Sequence, residues 1–409
     1  MRMNRLAGLT GTFVLAGVAT LVVTVTEYGD MSHPTLLTAE LLFLLLLHMV
    51  RYLRVWLSRE MLLYLGFFAY SLLSINWTED MHVAVTTVPS MTNCLLVLIL
   101  FSSLAAYHEI GALLAGMAVG FGAAAMLYTL TSGFPFSYPE GFSYNTIAGM
   151  YLFGLFTVSV LGTYWRWTLL PLAVGAVLLA LIAATTSIKT NLGVALGIGA
   201  ATLLYFKPTA KNLLRGVLIA AVLAGGAAYA LRTHPQLQEN VKNGLGRVSL
   251  GAAVLTNREG DSGRTGLGNR RGWQKQGLKG WATNPMFGSG MEAFRADFST
   301  TSHSTPIDLL YNYGLIGFGL FYGMFASIAW RLLTARNAQF RGVRARIAAG
   351  LIAYCFISLS GLIYYEAFVA IFVAISTGLL MQLERSRHSP SGALLPTAGG
   401  SGATASGVQ

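Results

Sequence analysis

The sequence predicts an all-α fold: a polytopic inner-membrane helix bundle of about twelve transmembrane helices with one large, partly helical periplasmic loop. Three observations predict it. Of 409 residues, 54% are hydrophobic and 11% charged, whereas a soluble domain carries about 25% charged residues. Apolar runs recur along the chain at lengths that cross a hydrocarbon core. The basic residues between those runs alternate in a regular pattern. The 46 glycines suit the close helix–helix approach that lipid-embedded bundles use.

In chain order, the expected spans lie near 6–26, 35–50, 60–75, 83–104, 110–130, 146–165, 167–186, 190–206, 213–231, 307–332, 347–363 and 367–384. The first follows Met-Arg-Met-Asn-Arg and resembles a signal peptide in its charge and apolar run. No small-x-small cleavage site follows its apolar run before Glu27 and further apolar segments come directly after, so it is read as a retained first helix. Residues 1–231 thus hold spans one to nine and residues 307–385 spans ten to twelve. Residues 386–409, rich in Gly, Ser, Ala and Pro, read as a disordered cytoplasmic tail.

Charge fixes the orientation. With both termini cytoplasmic, the connections on that side hold Arg2, Arg5, Arg51, Arg54, Arg59, Arg166, Lys207, Lys211, Arg215, Arg331, Arg336, Arg341, Arg344, Arg346, Arg385 and Arg387. The short connections opposite hold Glu27, Asp30, Glu79, Asp80, Glu140 and Glu366, with Lys189 as their one basic residue. Short cytoplasmic loops retain Lys and Arg, and an odd span count would scramble this register.

The long connection, 232–306, then faces the periplasm. From Arg232 to Thr305 it carries ten basic residues against five acidic ones, and long loops escape the positive-inside bias. A helix is expected over Arg271–Trp281, between a Gly-rich stretch and Asn284-Pro285. Such a basic loop has three readings: a solvated face touching anionic headgroups, a surface for a protein partner, or a site for a phosphorylated substrate, whose oxygens match guanidinium forks two at a time.

Two single residues bear on that choice. Lys189 interrupts two apolar runs on the side where basic residues are disfavoured, which marks an ionisable residue as functional unless it merely caps a helix or touches lipid phosphate. His303, in Thr300-Thr301-Ser302-His303-Ser304-Thr305-Pro306, is either a structural loop residue or a proton acceptor near neutral pH. The two cysteines, Cys94 and Cys355, sit in apolar runs and offer neither a disulfide framework nor a thiolate site. No His pair has the spacing of a zinc-binding helix, and no Walker loop or Gly-x-Ser-x-Gly elbow occurs. No metal, cofactor or nucleic-acid partner is therefore expected. A transporter would show broken helices near the midplane and repeated halves, which the sequence lacks. A non-enzymatic lipopolysaccharide-binding scaffold remains an alternative.

Over about 48 residues, the order Arg270-Arg271-Gly272-Trp273, Asn284-Pro285-Met286-Phe287-Gly288-Ser289-Gly290, His303 and Tyr313-Gly314-Leu315-Ile316-Gly317 resembles the O-antigen ligase and polymerase superfamily of bacterial envelope glycosyltransferases. Ser304 stands where that family usually has Asn. Ser187-Ile188-Lys189-Thr190 stands where it usually has Ser-x-Arg-Gly. Gly141-Phe142-Ser143-Tyr144-Asn145 echoes its Gly-x-Phe-x-Asn loop. The resemblance implies transfer of a glycan from undecaprenyl diphosphate to the lipid A-core of lipopolysaccharide, inverting and metal-independent, in the periplasm. Polymerisation of O-antigen and protein O-glycosylation are the alternatives within the superfamily. It further implies that Lys189, Arg264, Arg270 and Arg271 hold the diphosphate, with Arg270 the best match to the motif. His303 would act on the acceptor hydroxyl or bind the diphosphate, and Asn145 is a further substrate contact.

Overall fold

The computed structural model describes residues 2–28, 57–132, 144–164, 169–185, 187–205, 266–334 and 341–388, with the single positions 232 and 238. Among these residues the fold is all-helical. Its helices are α1 (Arg2–Tyr28), α2 (Arg59–Ser74), α3 (Met81–Tyr107), α4 (Ile110–Ser132), α5 (Tyr144–Leu161), α6 (Leu169–Ala184), α7 (Ile188–Tyr205), α8 (Gly266–Trp281), α9 (Ala293–Phe298), α10 (Thr305–Thr334), α11 (Arg341–Ser358) and α12 (Ala367–His388). A 3-10 turn, Ile75–Trp77, follows α2.

The expected spans 35–50 and 213–231 and the loop up to 265 lie outside the described residues. Every other expected span falls on a helix. Among the described residues, four helical stretches are long and apolar enough to cross a membrane: Met81–Tyr107, Ile110–Tyr128, Thr305–Thr334 and Ala367–Arg385. The boundaries depart from the apolar runs where polar residues cap or continue a helix. Ser58 accepts from the Met61 amide to start α2, and Asp80 accepts from the His82 and Val83 amides to start α3. α11 begins earlier than its apolar run, at Arg341, because its arginine-bearing first turns are also helical. It ends at Ser358, where Leu359 and Ser360 make tight bonds back to Phe356 and Ile357. α8 starts five residues before the helix expected over 271–281.

Helix pairs approach through glycine. Gly116 and Gly120, one turn apart on α4, face the Phe13 and Gly17 carbonyls of α1, and Gly193 and Gly197 of α7 face the Ala353 and Ala349 carbonyls of α11. A four-residue spacing stacks two bare positions on one face, and van der Waals contact between backbones replaces the hydrophobic drive that lipid cannot supply. α3 packs on α12 and α2 on α10, closing a core that includes Phe67, Phe101, Tyr151, Phe321 and Phe372.

The two ends of the bundle differ in chemistry. At one end Arg331 binds Glu384 through both carboxylate oxygens at 2.9 Å and Glu60 at 3.1 Å, while Ser327 donates to Glu60. Arg344 donates to the Leu332 carbonyl, and Arg385 donates to the Ala106 carbonyl and covers the Tyr107 ring. The opposite end gathers Thr78, Lys189, Glu292, His303 and Tyr364. Arg331, Arg344 and Arg385 thus lie at one end of the bundle and Lys189 and His303 at the other.

Replacing Gly120 by Leu is expected to lower the melting temperature in detergent, since overpacking costs about 1–3 kcal/mol. Gly122→Leu, where an added Cβ meets nothing within 4 Å, is expected to leave it unchanged.

Candidate functional site

The site grows from a break in a helix. At Gly314 (φ 62, ψ −164) α10 leaves helical geometry, which strands the backbone groups on either side of the break. The loop after α8 takes them up. The Ser289 and Gly290 amides donate to the Tyr311 and Asn312 carbonyls at 2.8 Å each, and the Leu315 and Ile316 amides donate to the Pro285 and Met286 carbonyls at 2.9 and 3.3 Å. Gly288 (φ 73) and Gly290 (φ 106) also have left-handed backbones. A Cβ on Gly288 would fall on the Asn312 carbonyl, and one on Gly290 would fall on the backbone of Thr78. The Asn-Pro-x-x-Gly-x-Gly and Tyr-Gly-x-x-Gly segments are therefore two halves of one backbone lock. Asn284 tightens it by donating to the Gly288 carbonyl at 2.6 Å, and Trp281 donates to the Pro285 carbonyl at 3.0 Å.

α8 lies parallel to the first half of α10. Gly280 meets Tyr311, Gly277 meets Ile307 and Phe294, and the Trp273 ring lies 5.7 Å from the His303 ring. Phe294, Phe298 and Tyr311 form the aromatic floor beneath it. Positions 273, 277 and 280 make one face of α8, and position 270 continues that face one turn toward the helix start. Position 271 is set well round the helix from Trp273, because residues two apart do not share a face.

His303 sits at the tip of a turn with φ 54, a conformation uncommon for a residue other than glycine. Ser302 donates through its hydroxyl to the Ser304 carbonyl at 2.8 Å and accepts the Ser304 amide at 3.2 Å. Asp308, buried in the first turn of α10, accepts the Ser302 amide at 3.2 Å, the Asn312 amide at 3.1 Å and the Tyr364 hydroxyl at 2.8 Å. Glu292 (φ 57) and Ser299 (φ 51) adopt the same left-handed region. Three such residues between α8 and α10, two of them capping α9, mark stored strain of about 1–3 kcal/mol each, the kind that packed surroundings must hold and that clusters at functional sites.

Lys189 joins this end from α7. Its Nζ lies 3.5 Å from the Ser360 carbonyl and beside Gly361. The Gly361 carbonyl accepts both the amide (3.0 Å) and the hydroxyl (2.6 Å) of Thr305, two residues after His303. Lys189 stands in the first turn of α7, where the helix dipole disfavours a cation and favours an anion. Burial pushes the half-buried Glu366 carboxyl up to about 7, and the Lys189 charge offsets part of that rise.

Of the residues expected from sequence, His303 thus lies within, and Lys189 beside, one short polar segment, Ser302–Thr305 with Ser360–Gly361. Positions 270 and 271 belong to the helix that brings Trp273 to His303. Asn145 is the second residue of α5. Arg264 lies outside the described residues. Sequence reasoning missed Asp308, Glu292 and Tyr364. A signal existed for the first: a carboxylate inside an apolar run is as unusual as Lys189 and falls under the same rule.

The apolar helices and the polar end described above define a membrane protein with a site at one face of its bundle. A family model described as O-Antigen ligase matches residues 172–322. The match runs from α6 past Lys189, α8 and His303 to beyond the Gly314 break, and it supports the O-antigen ligase superfamily already suggested by the motifs. No curated protein matches the chain.

The Glu292 carboxyl is pushed up to about 7, first by burial and then by the negative charge of Asp308. Arg295 and hydrogen bonds from Tyr364 and Thr87 offset part of the rise. The folded state therefore keeps a proton that the unfolded chain releases near 4.5. Stability from this group is present below that value and is lost as pH rises toward 7. Melting curves of wild type and Glu292→Gln across that window are expected to diverge, with the variant gaining relative to wild type as pH rises.

Proposed function

We propose that the chain is a glycosyltransferase that takes a glycan from undecaprenyl diphosphate and joins it to a hydroxyl of the lipid A-core, working at the periplasmic face of the inner membrane. In this reading the bundle has twelve spans with both termini cytoplasmic, and residues 232–306 form the periplasmic loop. The observation that carries it is the parallel seating of α8 on α10. It sets Trp273 against His303, and its face continues to position 270 while Lys189 approaches the same segment from α7.

The chemistry suits that arrangement. Cleaving a sugar–phosphate bond gathers negative charge on the leaving diphosphate, and cations already fixed in place lower the barrier without reorganising. Lys189, at a helix N-terminus that itself favours an anion, and Arg270 are assigned to the diphosphate. Arg271 and Arg264 are auxiliary cations. Position 270 is preferred to 271 because it lies on the Trp273 face. His303 takes the proton of the acceptor hydroxyl as that oxygen attacks the anomeric carbon from the side opposite the diphosphate, which inverts the configuration. Asn145 is assigned to substrate contact from the start of α5. Asp308 holds the Ser302–Ser304 turn and so positions His303 without touching substrate.

The test is reconstitution in liposomes with purified lipid-linked glycan and lipid A-core, read as a ladder of larger products on a gel. His303→Gln is expected to lower the rate by roughly 10²–10⁴-fold, the usual worth of a general base. Lys189→Ala and Arg270→Ala should also abolish the ladder at unchanged expression. Growth of the lipid-linked glycan without lipid A-core would instead identify a polymerase. No product with either acceptor would overturn the enzymatic reading.

Charge neutralisation by Lys and Arg needs no divalent ion in this scheme. Transfer is therefore expected to continue after exhaustive chelation. Loss of the ladder on chelation, with recovery on adding a divalent cation, would refute that expectation.

A further inference from the structure

Against the backbone lock a cavity of about 550 Å³ opens between the 3-10 turn after α2, the loop after α8, α9 and α10, and neither Lys189 nor His303 lines it. Its wall includes Trp77, Glu79, Asn284, Phe287, Asp297 and Tyr311, and among the described residues no basic one lines it. Trp77 and Phe287 are 40% and 54% exposed, so two large aromatic surfaces face open space beside two carboxylates. Both are held in place. Trp77 packs on Tyr70 at 6.0 Å, and Tyr70 donates to the Phe287 carbonyl at 2.9 Å. The Tyr311 hydroxyl donates to Asp297 and fixes that carboxylate at the wall.

This combination selects a ligand class. Two carboxylates repel a phosphate, so the cavity is no second diphosphate site. Among the described residues no three His, Cys, Asp or Glu side chains gather as a metal would require. A sugar offers what the wall accepts: hydroxyls that donate to carboxylates in charge-assisted bonds, and a C–H face that rests on the electron-rich face of an aromatic ring. α8 rises about 12 Å between Trp273 and Trp281 at 1.5 Å per residue. The cavity beyond its end is therefore too far from His303 to hold the reacting sugar, and it suits residues further along a chain. Binding energy from such remote units can be used at the reacting centre.

We propose that this cavity is a subsite for an uncharged, hydroxyl-rich stretch of glycan, separate from the His303 centre. The inference rests on the glycosyl-transfer reading in one respect: it gives the glycan, as distinct from its phosphate carrier, a place on the protein. Phe287 stands at the rim, Trp77 is the stacking surface, and Glu79 and Asp297 accept hydroxyls.

The experiment places a photo-crosslinker in the full chain, Phe287→p-benzoylphenylalanine, in cells that make the protein natively. Irradiated adducts are probed for glycan by periodate oxidation and hydrazide labelling. Leu130→p-benzoylphenylalanine, at an exposed position on α4, is the control. A glycan-bearing adduct is expected at 287 and absent at 130. It should fall at least tenfold on adding Trp77→Ala or Asp297→Asn, and also on adding Glu79→Gln, an exposed change that spares the fold. It should persist in His303→Gln, which separates occupancy from turnover. Adducts to protein or lipid alone, no adduct, or a glycan adduct indifferent to all three wall variants would overturn the subsite. A persistent adduct in a chain that transfers no glycan would leave the subsite standing and remove the transferase.

Discussion

The structure of the polar end depends on one constraint: a helix broken at Gly314 must find partners for the backbone groups that the break exposes. In a low-dielectric surrounding an unpaired amide or carbonyl costs several kcal/mol. The chain meets this by laying Pro285–Gly290 across the gap, so that Tyr311, Asn312, Leu315 and Ile316 bond to a loop and not to their own helix. That requirement explains why glycine recurs at 288, 290 and 314. Each has a left-handed backbone, and at 288 and 314 the two strands of the lock are close enough that a side chain on either would strike the other's backbone. Everything else at this end is registered from the lock. α8 must end where the loop begins, which sets Trp273 opposite His303, and the first half of α10 is held at the angle that buries Asp308.

Asp308 shows how that register reaches the imidazole of His303. A buried carboxylate is costly unless its oxygens are satisfied, and here three donors converge on it: the Ser302 amide, the Asn312 side chain and the Tyr364 hydroxyl. Two of the three lie within its own helix or the turn before it, and the third comes from the connection into α12. The Asn312 side chain also accepts the Phe294 amide at 2.8 Å, so α9 is tied to the same network. The left-handed turn carrying His303 is thus braced from α9, α10 and the α11–α12 connection at once. A strained conformation of this kind persists only where its surroundings over-determine it.

Much of the architecture was legible in the sequence because lipid imposes a simple rule: a crossing helix must be apolar over its length, and its flanking charges must respect the two aqueous sides. Every expected span within the described residues falls on a helix, and Arg331, Arg344 and Arg385 lie at the other end of the bundle from Lys189 and His303. The Asn-Pro-x-x-Gly-x-Gly segment and His303 were legible as a motif, but the physical reason for the glycines was not, since the pairing of 288 with 314 is a tertiary contact. Asp308, Glu292 and Tyr364 were harder still. Glu292 and Tyr364 are unremarkable in their local windows, Asp308 stands out only as a carboxylate at the start of an apolar run, and only the convergence of α3, the loop after α8, α10 and the α11–α12 connection brings them together. Boundaries such as Arg341–Ser358 were misjudged because helix length follows hydrogen bonding, which can extend through charged turns where hydropathy falls away.

The lock also joins two groups of carboxylates that differ in their surroundings. Asp308 and Glu292 are buried beside the His303 turn and accept from protein donors, and the Lys189 charge offsets part of the burial of Glu366. Glu79 and Asp297 instead line the cavity with the exposed rings of Trp77 and Phe287. A buried carboxylate that is already paired braces the fold and has little left to offer a ligand, whereas one at an open wall keeps acceptor capacity. In the proposed reading the first group therefore holds His303 in register, and the second can meet the hydroxyls of a glycan. The lock serves both: its Asn312 ties to Asp308 and to α9, and its Tyr311 fixes Asp297 at the wall.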